Sequence, residues 1–359
     1  MSEQELLSSE ESPSRLEFAF VDIGVDIQIP SCRVTNWKVF MEYMETPSHR
    51  VIQRGMIYRG QRRHDWKLAS SLSRLPRYEN GYVPLSEREK LLKQFKLALR
   101  GRGPDFSSIN NENEIWAYGQ HYSLDTPLLD WSQSPFVALY FAFCEPDDDD
   151  EGNPDRAIFC LNKSKLDEIM PEIFYEPESN EHTRLVNQSG LFTITPDNEE
   201  GESFVSYVVN RLREKRMIKD NDAASIAPYF QKIHIPNINR TECLDMLRQM
   251  NIHHGSLFPD PFGAATYTNE WIRREHLRII ILDFFEFAKN VIGTLKEESA
   301  PIVEDLHENG ANRRRILESL IDFLSQKEEY PFNLEQEEVI QIVIKQTDAL
   351  LMEFLTKNT

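Results

Sequence analysis

An unbroken apolar run at residues 136–143 limits the folds open to this chain. Proline is favoured in the first turn of a helix, so Pro135 predicts that a helix begins there and carries the run. A helix of this composition has to be covered by other elements, and we therefore expect residues 136–143 to lie in the core. The rest of the chain must supply the apolar segments that enclose this helix.

Strand-like and helical patterns alternate up to about residue 267, and helical patterns dominate beyond residue 269. Predicted helices cover residues 36–44, 86–99, 112–122 and 240–250, and predicted strands cover residues 56–58, 156–161, 190–195 and 230–235. Near the C-terminus, Ile316, Leu320, Phe323 and Leu324 share one helix face, and Val339, Val343, Leu350 and Phe354 share another. We predict an α+β fold, with a small mixed or antiparallel sheet surrounded by helices, followed by a helical C-terminal region.

The length of 359 residues suits two domains, and a hydrophobic content of 40% is enough to form a sizeable core. We predict a flexible acidic tail at residues 1–17, an α+β domain at residues 18–275 and a helical region at residues 276–359. Residues 145–155 read as an acidic surface loop. Acidic residues in this segment resemble the start of a calcium-binding loop. Ile158 occupies the position at which such a loop requires a bidentate glutamate, so no metal site is predicted.

The charge is distributed unevenly along the chain. The formal net charge is −19, which argues against a protein that coats DNA, because phosphate neutralisation supplies most non-specific affinity. Residues 50–103 nevertheless hold 14 lysines and arginines against four acidic residues. This basic segment in an acidic chain favours one compact anionic ligand, and a dinucleotide pyrophosphate fits that description better than a long duplex.

The four cysteines are widely spaced and form no Cys-x-x-Cys pair, so neither a zinc ribbon nor a disulfide framework is predicted. The N-terminal residues lack the basic start and apolar run of a secretory signal. The longest apolar stretch, near residues 277–287, is too short and too charged to cross a bilayer. We therefore expect a cytoplasmic protein without a membrane partner.

Two polar segments carry the chemical information. The first is Tyr58-Arg59-Gly60-Gln61, in which an arginine leaves a strand with a glycine behind it, and it is followed by Arg62, Arg63, Trp66 and the Ser70-Ser71-Leu72-Ser73-Arg74 run. Such an arginine can present a bidentate guanidinium to a phosphate or carboxylate, and the glycine permits a close backbone approach. The second, residues 120–132, places Gln, His, Tyr, Thr and Asp beside the apolar helix. Polar groups converging next to an apolar wall are typical of a small-ligand pocket.

These segments resemble the FRG domain family, which is named for an aromatic-Arg-Gly motif. The second is similar to the family's Q-H-Y-G-x-P-T-R-L-L-D-W-T signature, which continues into a P-x-V-A-L-Y-F-A helix. Further matching elements are Arg184, Gln188, Gly190 and Phe192; Ile235-Pro236; and Leu257-Phe258-Pro259-Asp260 with Gly263. The resemblance spans about residues 35–275 and preserves the order of five motifs.

This chain departs from the family signature at three positions. Ser123 stands where the family has glycine, Asp125 where it has proline, and Pro127 where it has arginine. If the family's arginine contacts a ligand, this protein binds differently or less well. If that arginine only forms a structural ion pair with the following aspartate, here Asp130, its absence removes this ion pair and not a contact with a ligand.

The resemblance implies a fold more firmly than a reaction. The aromatic-Arg-Gly strand is similar, at the level of fold, to the first-strand arginine of ADP-ribosyltransferases and related NAD-cleaving enzymes. It implies an enzyme of that type, acting as a toxin or defence effector on a protein or nucleic-acid target, with the C-terminal helices serving regulation or homo-oligomerisation. The competing interpretation is a non-enzymatic module that binds nucleotides or nucleic acid through Arg62, Arg63 and Lys67.

The site residues follow from this resemblance. The predicted catalytic residues are Arg59, His121 and Asp130, and the predicted NAD-binding residues are Tyr58, Arg59, Gly60, Gln61, Gln120, Tyr122, Thr126, Trp131, Arg184 and Gln188. Arg59 would hold the phosphates, Tyr122 or Trp131 would stack on nicotinamide, and a carboxylate would stabilise the ribosyl cation.

Several structural interpretations stay open beside these roles. Arg59 could anchor Asp130 rather than bind a ligand, Asp130 could cap a helix or pair with an arginine, and His121 could be a hydrogen-bonded core residue. Arg184 and Gln188 could satisfy backbone groups. No Glu-x-Glu motif is recognisable on a late strand, so the sequence does not single out the catalytic carboxylate.

Overall fold

The computed structural model describes residues 16–20, 28–46, 49, 54–78, 80–104, 106, 111–146, 154–177, 183–219, 222–298, 309–325 and 337–357. Most of the predicted tail and residues 147–153 of the predicted acidic loop lie outside these ranges. The chain divides into two compact units, Met1–Gly263 and Ala264–Thr359. The division precedes the predicted boundary after residue 275 and falls near the start of a continuous helix that begins at Pro261.

A seven-stranded sheet forms the centre of the first unit. Its strands are β1 (Ser31–Arg33), β2 (Met56–Gln61), β3 (Leu128–Ser132), β4 (Arg156–Asn162), β5 (Phe174–Tyr175), β6 (Gly190–Ile194) and β7 (Phe230–Ile235). They lie in the order β1-β7-β4-β2-β3-β6-β5. The β1–β7 pair is parallel and the other pairs are antiparallel. The predicted α+β class with a mixed sheet is confirmed.

Helices lie between and after the strands along the chain. In chain order they are α1 (Trp37–Glu45), α2 (Leu85–Ala98), α3 (Glu112–His121), α4 (Pro135–Phe143), α5 (Lys163–Asp167), α6 (Thr183–Asn187), α7 (Phe204–Glu214), α8 (Ala223–Ile226), α9 (Arg240–Gln249), α10 (His254–Leu257) and α11 (Pro261–Glu298). Two further helices, α12 (Gly310–Ser325) and α13 (Glu337–Lys357), follow in the second unit. The predicted helices and strands are therefore present, with ends shifted by one residue or two at most positions.

The apolar run does form a buried helix. The Ser134 hydroxyl accepts a hydrogen bond from the Val137 amide and caps α4, whose first residue is Pro135. The side chains of α4 pack against β2 and, together with those of α1, build the core on one face of the sheet. The amphipathic helix α7 contributes to the core on the opposite face.

Several elements were not predicted from the sequence, namely the strands β1, β3 and β5, the helix α7, and the short helices α5, α6, α8 and α10. Strand β3 matters most, because it contains Asp130 and runs through a segment that the sequence interpretation placed between two helices. Along β3, Leu129 and Trp131 join the core on the α7 face, whereas Asp130 stays exposed on the other face. A five-residue strand with one polar position on its open face shows too little alternation to be recognised.

The second unit is helical, as predicted. Buried side chains of α11, α12 and α13 form its core, among them Phe284, Leu317, Ile321, Val343 and Leu351. Ile316, Leu320 and Phe354 pack against this core, while the side chains of Phe323, Leu324 and Val339 lie outside the described residues. Within the part of the chain that the structure describes, no helix is both long and apolar enough to cross a membrane.

Candidate ligand-binding site

A cavity opens where two neighbouring strands separate. Strands β2 and β3 are paired at Tyr58 and Ser132, and beyond that pair the Arg59 side chain reaches across to Asp130. Side chains from α3, α4, α6 and α10 complete the walls of a cavity of about 580 Å³. This volume lies within the range of small-molecule sites.

Arg59 is anchored on one side only. Its Nη1 donates to the Asp130 carbonyl oxygen at 2.8 Å and lies 3.4 Å from the Asp130 carboxylate. The Arg59 side chain is 17% exposed and the Asp130 side chain 53%, so the carboxylate faces the open cavity. Burial lowers the pKa of the Arg59 guanidinium, the charge of Asp130 opposes this shift, and the charge of Arg74 adds to it.

A hydrogen-bonded relay orients the Asp130 carboxylate. Gln120 Nε2 donates to Asp130 Oδ1 at 2.6 Å, and the buried Thr126 hydroxyl donates to Gln120 Oε1. The Thr126 amide in turn donates to the Ser71 hydroxyl at 3.0 Å. Because Thr126 engages the amide oxygen of Gln120, the amide nitrogen is directed at Asp130. Both carboxylate oxygens of Asp130 therefore have donors from the chain.

Arg184 connects two parts of the cavity wall through an ion pair and a hydrogen bond. Its Nε and Nη2 lie 2.7 Å and 2.6 Å from Asp260 Oδ2, and its Nη1 donates to the His121 carbonyl oxygen at 3.2 Å. The Gly263 amide, followed by the charge and hydrogen bonds of Arg184, lowers the pKa of the Asp260 carboxyl. Gln188 Nε2 donates to the Leu257 carbonyl oxygen at 3.2 Å. Both residues thus bond other elements and also line the cavity.

Most of the predicted site residues meet at this cavity. Tyr58, Arg59, Gly60, Gln61, Gln120, His121, Asp130, Trp131, Arg184 and Gln188 all contribute to its lining. Thr126 lies behind the wall, where it positions Gln120. Asp130 does not cap α4, since Ser134 holds that position, and its partners are Arg59 and Gln120.

The two aromatic residues predicted to stack on nicotinamide are placed differently. The Trp131 indole is 2% exposed, donates to Thr193 Oγ1 at 2.8 Å and packs near Phe204 in the core. The ring is thus covered by core side chains although the residue lines the cavity, and stacking of Trp131 on nicotinamide stays a prediction. Tyr122 is 63% exposed and lies against His121 and Tyr118, outside the residues that line the cavity. Strand alternation, which the sequence interpretation missed, directs the Trp131 ring away.

Other aromatic and basic side chains take their place at the cavity. Phe141, Phe258 and His254 line it, with the His254 ring stacked on Phe258 at 4.3 Å. At the rim, the Arg62 guanidinium lies 5.1 Å from the Trp66 ring centroid. The sequence interpretation included Trp66 and Phe258 in motif segments but gave them no role. Nothing in their local pattern could have shown that they face one cavity.

The charged groups lining the cavity are predominantly basic. They are Arg59, Arg62, Arg74 and Arg184 against Asp130 and Glu145, together with His121 and His254. Among the described residues, no group of three or more His, Cys, Asp or Glu side chains could hold a metal ion. The cavity is therefore electrostatically suited to an anion.

Ser123 explains one departure from the family signature. It follows α3 with a φ of 65°, and the next amide, that of Leu124, donates to the Gly119 carbonyl oxygen at 2.9 Å. This is a left-handed helix end, for which glycine is the favoured residue. The glycine that the family signature has at this position would adopt the same conformation without steric cost.

We expect Ser123→Gly to raise the free energy of unfolding by about 0.5–1 kcal/mol, because relief of the left-handed strain exceeds the added chain entropy. Urea denaturation of the full chain would measure this change. Ser86→Gly, at an exposed position of α2, is the control and should lower stability instead. A loss of stability in both variants would contradict the assignment of strain to Ser123.

The mixed sheet and the helices around it make the first unit an α+β domain, and its cavity is lined by four arginines. Residues 54–151 match the family model of the FRG domain, and this part of the chain is an FRG domain. The match contains Arg59, the Gln120–Asp130 relay and the whole of α4, while the motif residues near Arg184 and Asp260 lie outside it. Searches of curated proteins and of solved structures found no match.

Proposed function

We propose that the FRG domain binds a nucleotide in the arginine-lined cavity and cleaves NAD, either by hydrolysis or by transfer of ADP-ribose. One observation carries the proposal: an oriented carboxylate, Asp130, is exposed in a cavity whose other charged side chains are mainly arginines. Binding of a pyrophosphate requires the arginines, and stabilisation of a ribosyl cation requires the carboxylate.

In this mechanism the phosphates bind at Arg59, and the nicotinamide ribose lies against Asp130. The bond between ribose C1′ and the nicotinamide nitrogen breaks, its electron pair leaves with nicotinamide, and the cationic ribose is stabilised by the carboxylate. Water, or a nucleophile of a target molecule, then attacks C1′ and loses its proton. Phe258, Phe141 and Trp66 supply aromatic surface for the bases, since the Trp131 ring lies in the core.

A toxin or defence role forms part of the same proposal, because unrestrained cleavage of NAD depletes a central redox cofactor. We assign the helical second unit to regulation or self-association.

A non-enzymatic nucleotide or nucleic-acid module is the second candidate, and the Arg62–Trp66 pair at the rim favours it. Such a cation and ring would stack on bases without chemistry. However, Arg63 is held by both oxygens of Asp65 at 3.0 Å and 2.8 Å, and Arg62 donates to the Pro146 carbonyl oxygen at 3.0 Å. Two of the cations that this function needs are thus engaged within the chain.

The test is the release of nicotinamide from NAD by the pure full-length protein, measured by liquid chromatography. We expect release by the native chain and a loss of at least about 100-fold in kcat/KM for Arg59→Ala, because this residue both binds phosphate and holds Asp130. Arg77→Ala is the control, because Arg77 pairs with Glu87 and its side chain is 71% exposed. Absence of nicotinamide release would reject the reaction, and unchanged turnover in Arg59→Ala would reject the site.

A further inference from the structure

Arg74 presents an exposed guanidinium to the cavity. It is the last residue of a short 3₁₀ turn, Leu72–Arg74, and its side chain is exposed where it lines the cavity. Across the ranges that the structure describes, this guanidinium has neither a hydrogen bond nor an ion pair. An exposed charge of this kind is available to an incoming anion.

The edge of the Arg59 guanidinium that is formed by Nε and Nη2 makes no contact with Asp130. Only its Nη1 contacts Asp130, and its Nε is buried without a hydrogen-bond partner among the described residues. An unsatisfied buried donor costs about 1–3 kcal/mol, so an oxygen that reached this edge would be favoured.

Other arginines of this chain show how the edge formed by Nε and Nη2 binds a carboxylate. Arg184 directs both Nε and Nη2 at Asp260 Oδ2. Arg33 and Arg63 each place Nε and Nη2 on separate oxygens of one carboxylate, that of Asp155 and of Asp65 respectively. This bidentate arrangement is the geometry in which arginine also binds phosphate. Among the described residues, no carboxylate occupies this edge of Arg59, and Asp130 is bonded at Nη1 instead.

The two guanidinium groups are close enough to influence one another. The positive charge of Arg74 lowers the pKa of Arg59, which means that the charges repel each other in the absence of a ligand. The Asp130 carboxylate neutralises part of the charge of Arg59, through a single contact with Nη1 at 3.4 Å. The pair therefore retains excess positive charge, which an anion of two or more charges would neutralise.

We propose that Arg59 and Arg74 together form a subsite for a pyrophosphate group, in which Arg59 binds one phosphate and Arg74 binds the other. The ligand class is a molecule with two linked phosphates, such as a nucleoside diphosphate or a dinucleotide. The subsite deepens the proposed function and rests on it only in placing the ligand in this cavity.

The test is isothermal titration calorimetry of the full chain with inorganic pyrophosphate and, separately, with inorganic phosphate. We expect pyrophosphate to bind more tightly than phosphate, and Arg74→Ala to weaken pyrophosphate binding at least about tenfold. The dependence of affinity on salt concentration should also become shallower in this variant. Arg77→Ala is the matched control, since Arg77 lies three positions further on and outside the lining, and it should bind as the native chain does.

Thermal unfolding of Arg74→Ala should match the native chain, because the side chain is exposed and unbonded. The subsite is overturned if pyrophosphate does not bind the native chain, if Arg74→Ala binds it unchanged, or if Arg74→Ala and Arg77→Ala weaken it equally. Phosphate binding as tightly as pyrophosphate would overturn the assignment of two phosphates.

The subsite and the reaction can fail separately. If pyrophosphate binding depends on Arg74 while NAD releases no nicotinamide, the subsite stands and the proposed reaction fails. If NAD is cleaved and Arg74→Ala leaves KM unchanged, the reaction stands and the subsite fails. A raised KM in Arg74→Ala with an unchanged kcat would support both, because the phosphates bind equally in the ground and transition states.

Discussion

Gly60→Ala is expected to destabilise the first unit by about 3 kcal/mol or more and to abolish ligand binding. A Cβ at this position would lie 1.9 Å from the Ala138 carbonyl oxygen and 2.7 Å from the Ala142 amide nitrogen, both backbone atoms of α4. Neither atom can rotate away, so β2 and α4 would have to separate. Arg59 precedes Gly60, and its side chain would be displaced from Asp130. Urea denaturation and pyrophosphate calorimetry would measure the two effects.

Gly103→Ala is the control for Gly60→Ala. It distinguishes a steric clash with the backbone of α4 from the general effect of replacing a glycine with alanine. A Cβ at Gly103 would meet the Tyr118 hydroxyl at 3.0 Å and a Leu99 methyl at 3.3 Å, both at the ends of side chains. Because these groups can shift, the expected change in stability is below about 1 kcal/mol. Equal losses in Gly60→Ala and Gly103→Ala would contradict the close packing of β2 on α4.

Asp130→Asn should change catalysis and binding in opposite directions. Asparagine keeps the shape of the side chain but removes the charge that would stabilise the ribosyl cation, so kcat for nicotinamide release should fall by about 10²–10³-fold. The same change removes a negative charge beside Arg59, so affinity for pyrophosphate should rise several-fold. Chromatography of nicotinamide and calorimetry with pyrophosphate would measure the two quantities on one preparation.

Asp125→Asn is the control for Asp130→Asn, because Asp125 is exposed and lies outside the cavity lining. Both quantities should stay at their native values in this variant. A fall in pyrophosphate affinity in Asp130→Asn would show that Asp130 organises the site rather than opposing the anion. Unchanged turnover would exclude Asp130 as the catalytic carboxylate.

The helix at Pro135 illustrates how much of the fold follows from local sequence. Its apolar run and the proline in its first turn are sufficient to predict a buried helix. The close approach of Gly60 in β2 to the backbone of this helix is visible only in the structure. Strand β3 was not predicted, because its identity depends on pairing with β6 at five positions, and those partners come from far along the chain. Pairing of this kind leaves no signature within the strand itself.

Trp131 and Arg74 show that the direction of a side chain at the site is also not predictable from the local sequence. Both stand in segments that the sequence interpretation emphasised, yet the tryptophan ring lies in the core while the arginine faces the cavity. A residue's position in a motif does not specify which face of a strand or turn it occupies. That direction depends on strand register and on the packing of neighbouring elements.

The sequence by itself determined the α+β class, most helices and strands, and the polar residues that gather around Arg59, because each depends on short-range periodicity or on a local motif. Only the tertiary structure decided that β2 and β3 separate beside Arg59, that Gln120 and Thr126 orient Asp130, and that Arg74 shares the cavity. These relations join residues from separate elements, and they arise only when the sheet brings those elements together.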